Sequence, residues 1–228
     1  THSSKVRESS EYILSNATTL EFSQENFEKM CKYIHQNLLN YDKFEDSSDH
    51  PKQDELFFED SIGFCFVMDS INFCFWPNSF EYEDLVTNIK TAMKTQLGIF
   101  SPASILKMTE KEFGALVFKG LTDNLEQIPE RFRLLQEMAG VVNSHFNGSY
   151  TEMIYQSGYD SDRLLDMIVS RMTGFQDHGV YKGKQVFYYK RAQILVGDIN
   201  EVLVMLKKTL IYKSFNSINN SRLKIPEK

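Results

Sequence analysis

The stretch GFCFVMDSINFCFWPNSFEYED, residues 63–84, is the most aromatic part of the chain and constrains its fold more than any other. A run this apolar belongs in a core. Alternation in GFCFVM suits a strand, whereas the spacing of Phe64, Met68, Ile71 and Phe75 suits a buried helix, and periodicity alone does not choose between them. Pro77 closes the element on either reading. Two polar residues, Asp69 and Asn72, lie among Phe66, Phe73, Phe75 and Trp76. Asp69 can cap a turn or helix end while the aromatics pack as core. Alternatively, the aromatics wall a pocket for a flat heterocycle whose hydrogen-bonding edge is read by Asp69 and Asn72. Both readings can hold, because only some of the rings can face one cavity.

With 228 residues and 42% hydrophobic side chains, the chain can bury a substantial core as one large domain or two small ones. Its formal charge of -6 and pI near 5.4 argue against broad binding to a nucleic-acid backbone, so no stable nucleic-acid partner is expected. A small anionic ligand held by a few local cations remains compatible with that charge. No apolar stretch approaches the roughly 20 residues needed to span a bilayer, and the start THSSKVRESSEY has no signal-peptide core, so no membrane association is expected. The chain does not begin with Met, which fits a fragment or a processed start. Cys31, Cys65 and Cys74 form no CxxC pair and read as buried free thiols of a reducing compartment, the cytoplasm, with the nucleus also open.

The segment SQENFEKMCKYIHQNLLN, residues 23–40, places Phe27, Met30, Cys31, Ile34 and Leu38 at helical spacing, and the polar stretch that follows, with Pro51, predicts an exposed loop. Thr109 and Glu112 have capping-box spacing, as do Ser149 and Glu152. Pro129 opens a helix carrying Phe132, Leu135, Met138 and Val142. Residues 160–172 form a short helix with Leu164, Leu165, Ile168 and Met172 inward. VYKGKQV predicts a small hairpin. Ile194, Leu195, Ile199, Val202, Leu203 and Leu206 then fit a helix over roughly 188–208. The Asn/Ser-rich end reads as poorly ordered. The fold class is therefore mainly α with a small β-hairpin: one domain over 1–208 and a divergent tail over 209–228.

Several chemistries lack their defining spacing. There is no GxGxxG, GxxxxGK[ST], HExxH or GxSxG. His2, His35, His50, His145 and His178 are scattered without a metal-ligand pattern, so neither a metal nor a cofactor is expected. Glu81, Glu83 and Asp84 in FEYED make a compact carboxylate cluster, which is either a solvated helix start or a set of groups that contact an amine or take up a proton. In VYKGKQVFYYKRAQILVGDI, residues 180–199, Lys190 and Arg191 interrupt an apolar run. On a helix Lys190 and Asp198 lie about two turns apart on one side, with Arg191 rotated away. Lys190 is then the better candidate for a pocket and Arg191 a structural cation; the plainer alternative for Lys190 is a surface lysine reaching to water.

DSINFCFW at 69–76, FEYE at 80–83, GFQDH at 174–178 and VYKGKQVFYYKRAQILVGD at 180–198 together resemble the queuosine salvage protein family, the queuosine 5'-phosphate N-glycosylases. HPKQDE and IPERFRLLQEMAG fall in the matching order, and the resemblance runs from about residue 5 to 200. It implies a helical fold similar to helix-hairpin-helix DNA glycosylases and hydrolysis of the bond between queuine and ribose 5-phosphate, freeing the base for insertion into tRNA. It also implies a small-molecule substrate and no cofactor; a monomer is expected. The chemistry agrees, since a planar base needs an aromatic wall, its edge needs carboxylate and amide acceptors, and a phosphate needs a cation. Hydrolysis passes through an oxocarbenium-like state that a nearby carboxylate stabilises.

The resemblance makes Lys190 the active-site lysine and assigns Asp69, Asn72, Phe73, Trp76, Glu81 and Tyr189 to the substrate. A functional aspartate belongs to a later motif resembling FADYRVPQ. Counting without a gap reaches SRLKIPE, residues 221–227, where Ile225 and Pro226 fit but Arg222 stands at the aspartate position. Similarity fades after Asp198, as an altered or truncated C-terminus would produce. Asp198 is then the remaining carboxylate and joins Lys190 as a catalytic candidate. The alternative is a protein that binds queuine or its nucleotide without hydrolysing it.

Overall fold

The aromatic run is a helix. In a computed structural model, which describes residues 1–19, 21–37, 56, 58–76, 80–119 and 127–222 (backbone only for 206 and 208–222), it forms α3, Phe58–Ile71. Every residue of α3 from Ser61 to Ile71 is buried, which explains the ambiguous periodicity: a helix covered on all sides carries no polar face to mark its period. Its partners are α4 (Tyr82–Thr95), α7 (Ile128–His145), α8 (Tyr150–Ser157) and α10 (Lys190–Arg222). Around these lie α1 (His2–Asn16), α2 (Gln24–Asn37), α5 (Pro102–Ile105), α6 (Glu110–Val117) and α9 (Ser161–Arg171). A short 3-10 turn, Thr173–Phe175, and one antiparallel hairpin, β1 (His178–Tyr181) and β2 (Lys184–Phe187), complete the described elements. The protein is mainly helical with a small two-stranded sheet.

The hairpin turn rests on positive φ at both Lys182 (45°) and Gly183 (78°), the twist that a two-residue connection between antiparallel strands requires. Its strand β2 docks on α1, where Phe187 N donates to Ser9 Oγ at 2.9 Å.

The local expectations map onto this frame with informative differences. Thr109 and Glu112 form the reciprocal capping box of α6. At α8 Ser149 Oγ accepts from Glu152 N, but the second half of the box is replaced: Glu59 of α3 accepts from Tyr150 N (2.6 Å) and Thr151 Oγ1 (2.6 Å). A buried helix thus caps its neighbour. Of the cysteines, Cys65 is buried, whereas Cys31 and Cys74 are exposed, because α2 has no buried residue and Cys74 lies past the end of α3. Ile194 is likewise half exposed, on the outer side of α10. That helix is longer than the 188–208 its pattern predicts, with a helical backbone to Arg222. Leu38, the loop around Pro51, and Pro77 lie outside the described residues. No described helix is long and apolar enough to cross a membrane.

Gly63 is needed for close approach. A Cβ there would stand 2.9 Å from Tyr150 Cε2. Tyr150 cannot yield, since it is buried, stacks on Phe66 at 5.2 Å and donates its hydroxyl to Phe100 O at 2.7 Å. Gly63→Ala is expected to destabilise by about 1–3 kcal/mol despite favouring helix, measured as a lower urea midpoint at unchanged slope.

Candidate active site

The three segments singled out above meet where α3 ends and α10 begins. α3 delivers Asp69, which is 5% exposed, and the chain then leaves the helix through Asn72 and Phe73. Opposite, Asp177 organises the start of α10. Its main-chain oxygen accepts from Tyr188 N (3.2 Å) and Tyr189 N (3.1 Å), and its carboxylate accepts from Arg191 N at 3.0 Å. The carboxylate also pairs with Arg191 Nη2 at 3.3 Å, while the same nitrogen donates to Gly174 O. GFQDH and YYKRAQ are therefore one unit: the aspartate of the first caps the helix opened by the second.

This cap turns Arg191 inward. Its guanidinium lies 5.3 Å from the Phe73 ring centroid and 6.0 Å from that of Phe175. On the same Phe73 ring, at 4.1 Å, sits the guanidinium of Arg131 from α7, a residue with no exposed surface. Among the described residues, the buried side-chain nitrogen and oxygen atoms without a hydrogen-bond partner are Asp69 Oδ2, Arg131 Nε and Arg191 Nη1. All three belong to this one cluster. Unmet polar capacity is rare in a core, and its concentration in this region makes the cluster a candidate site.

The charges are tuned accordingly. Burial, then the charge of Asp198, pushes the Asp69 carboxyl well above its usual range, and Arg191 pulls it back in part. Burial, then Glu201, raises Asp198 to about 6. Burial, followed by the charges of Asp198 and Asp69, also holds the Cys65 thiol protonated. Asp69, held well above its usual range, can store a proton at neutral pH, the requirement for protonating a leaving group, while Asp198 near 6 exchanges one just below neutrality.

The remaining sequence candidates are placed as follows. Asn72 and Phe73 are half-buried at the cluster. Trp76 is 89% exposed, an open ring a few residues further along the same segment. Glu81 is exposed at the start of α4, where its main-chain N–H donates to Asp84 Oδ2 at 3.0 Å, the helix-start reading of FEYED. Lys190 is the first residue of α10 and is exposed. Arg191, read from the sequence as a structural cation turned away from a pocket, pairs with Asp177 and lies by Phe73, and its charge acts on Asp69, because the helix starts at Lys190 and Asp177 fixes its first turn. Tyr189 is buried at φ 41°, stacked on Phe187 at 5.6 Å, and lines a cavity of about 270 Å³ with His2, Lys5 and His178. The structure thus joins Asp69, Asn72, Phe73 and Asp198, while Trp76, Glu81 and Lys190 stand on the surface. Among the described residues no cluster of His, Cys, Asp and Glu could hold a metal ion.

Sequence reasoning missed Arg131 and Asp177. Arg131 had a signal: it shares a helical stripe with the buried Leu135, Met138 and Val142, a cation on an otherwise apolar face. Asp177 lay within the GFQDH motif, but no local spacing showed its role, since its partners are in other elements.

Comparison with known proteins bears on this geometry. The family described as queuosine salvage protein matches residues 49–221. A protein of Dictyostelium discoideum is 36% identical over 61% of this chain and 40% of its own length. One of Nematostella vectensis is 24% identical over 84% of this chain and 60% of its own, and one of Schizosaccharomyces pombe 25% over 86% and 64%. Each of these relatives carries the name queuosine 5'-phosphate N-glycosylase/hydrolase. The chain spans about half the length of the curated relatives it matches.

Proposed function

Because this chain belongs to the queuosine salvage protein family, we propose that it hydrolyses the N-glycosidic bond of queuosine 5'-phosphate, releasing queuine for salvage into tRNA. The observation that carries this reading is the meeting of Asp69 with Arg191 and Asp198 at a buried point that retains unmet hydrogen-bonding capacity. In this reading the base lies against Phe73 and Trp76, with Asp69, Asn72 and Glu81 at its polar edge. Tyr189 bounds the site from the hairpin side. Lys190, exposed at the start of α10, suits a phosphate that stays partly in water. Asp198, raised to about 6, is the group that holds a proton for the leaving base or orients the attacking water. The protein would act as a cytoplasmic monomer without a cofactor, its residues 1–208 forming one glycosylase-like domain.

A second reading, a binder that no longer hydrolyses, is favoured by Arg222 at the expected aspartate position. Against it, residue 222 lies on the same helix as Asp198, and at 1.5 Å per residue the two are about 36 Å apart along its axis, so a gapless count is a poor guide to which residue enters the site.

Incubation with queuosine 5'-monophosphate, with free queuine assayed alongside binding, separates the readings. The wild-type chain is expected to release queuine, and Lys190→Ala or Asp198→Asn to lower the rate by about 100-fold or more. Binding without release would favour the binder, and the absence of both would sink the two together.

A further inference from the structure

Arg131 is an expensive residue in the position it holds. It has no exposed surface, and its contacts among the described residues are main-chain carbonyls and aromatic faces rather than a carboxylate. Burying an unpaired cation is unfavourable, and a Met or Leu on that stripe of α7 would pack at far less cost. Burial lowers its pKa to about 10, so the charge persists at neutral pH. The explanation lies in what the guanidinium grips. Nη1 donates to Ile71 O, the last residue of α3, where helix carbonyls lack partners. Nη2 donates to Cys74 O at 2.9 Å. These two carbonyls bracket Asn72 and Phe73, and the guanidinium carbon stands over the Phe73 ring at 4.1 Å from its centroid. Cys74 itself adopts φ 49°, a left-handed conformation that a non-glycine residue keeps only when its surroundings enforce it.

We propose that Arg131 is a positioning residue: from α7 it clamps both ends of the turn that carries Asn72 and Phe73, and so sets where the base-contacting segment Asn72–Trp76 stands relative to Asp69. This rests on the reading of that segment as the base site. Arg131 itself touches neither substrate nor reacting atoms. With the Arg131 guanidinium on the Phe73 ring and the carbonyls on either side of Asn72 and Phe73 both held, the segment meets the substrate without first having to be ordered, which improves binding by pre-organisation.

The sole tryptophan of the chain, Trp76, lies on the clamped segment and reports its mobility directly. In Arg131→Met, helix content by circular dichroism is expected to be retained while Trp76 fluorescence anisotropy falls. KM for queuosine 5'-phosphate is expected to rise by about tenfold or more, with kcat changed by a smaller factor. Arg131→Lys, which keeps the charge but bridges only one carbonyl, should fall between. An unchanged KM, or a kcat loss with no KM change, overturns the proposal whatever the anisotropy does. Loss of helix content in both variants overturns it too, because the residue would then hold the fold rather than the segment. Should the wild-type chain itself neither bind nor hydrolyse the substrate, the functional reading fails separately; Trp76 anisotropy then decides alone, a fall in Arg131→Met supporting the clamp and no fall overturning it.

Discussion

Asp69→Asn is expected to be more stable than the wild type at neutral pH and to release queuine at least about 100-fold more slowly. The stability gain follows from the sign of the shift. Burial and Asp198 raise the Asp69 carboxyl in the folded state, so the native protein binds a proton that the unfolded chain has already lost. Stability therefore falls as pH climbs above about 4, the unfolded value, and the penalty is fully present above the folded value. Asp198, raised to about 6, contributes a second fall of the same sign between roughly pH 4 and 6. Asparagine keeps the shape and removes the ionisation. A gain of about 1–3 kcal/mol at pH 7 is expected, measured by urea unfolding, together with a shallower decline of stability from pH 4 to 7. A loss of stability in Asp69→Asn would mean that Arg191 depends on that charge more than burial opposes it. The pairing of higher stability with lost activity is what distinguishes a functional buried carboxylate from a structural one.

Arg191→Met is expected to have the largest destabilising effect, about 3–5 kcal/mol. Methionine can fill much of the volume, but the variant strands Asp177, whose carboxylate is 17% exposed, and leaves Asp69 without its nearest cation. It also leaves Gly174 O without its donor. Asp177→Asn retains an acceptor for the Arg191 main-chain N–H while removing the charge, so it should cost less, and the double variant should recover part of the loss. A double-mutant cycle on urea midpoints measures this coupling; strictly additive effects would show that the pair is not what holds GFQDH to α10.

Much of this architecture was legible in the sequence because it is written locally. Capping residues, Pro129 and the Lys182–Gly183 turn act within a few residues of themselves, and each appears where its spacing placed it. The aromatic run was not legible in kind, since a helix buried on every side erases the polar stripe that separates period 3.6 from period 2. The site was legible in its residues more than in its geometry. Asp69 and Asn72 were conspicuous as polar groups in an aromatic run, and Asp69 is buried there. What held Arg191 in its structural place was hidden, because it depends on Asp177, a partner fourteen positions upstream of Arg191 whose bond follows no helical or strand rule. Arg131 was hidden for a related reason: its value lies in two carbonyls, and carbonyls are the same in every residue.

The position of α3 has a consequence for how the protein is made. Its apolar surface is complete once Ile71 has been synthesised, yet α10, which covers one side and completes the Asp69 cluster, begins roughly 120 residues later. At about 5–20 residues per second, translation leaves that helix waiting on the order of 6–25 s with an uncovered side. A nascent chain in this interval is a client for whatever shields apolar helices at the ribosome. The Asp69 cluster is completed only when α10 emerges, so a ribosome that stalls before α10 leaves a chain without Arg191 and Asp198.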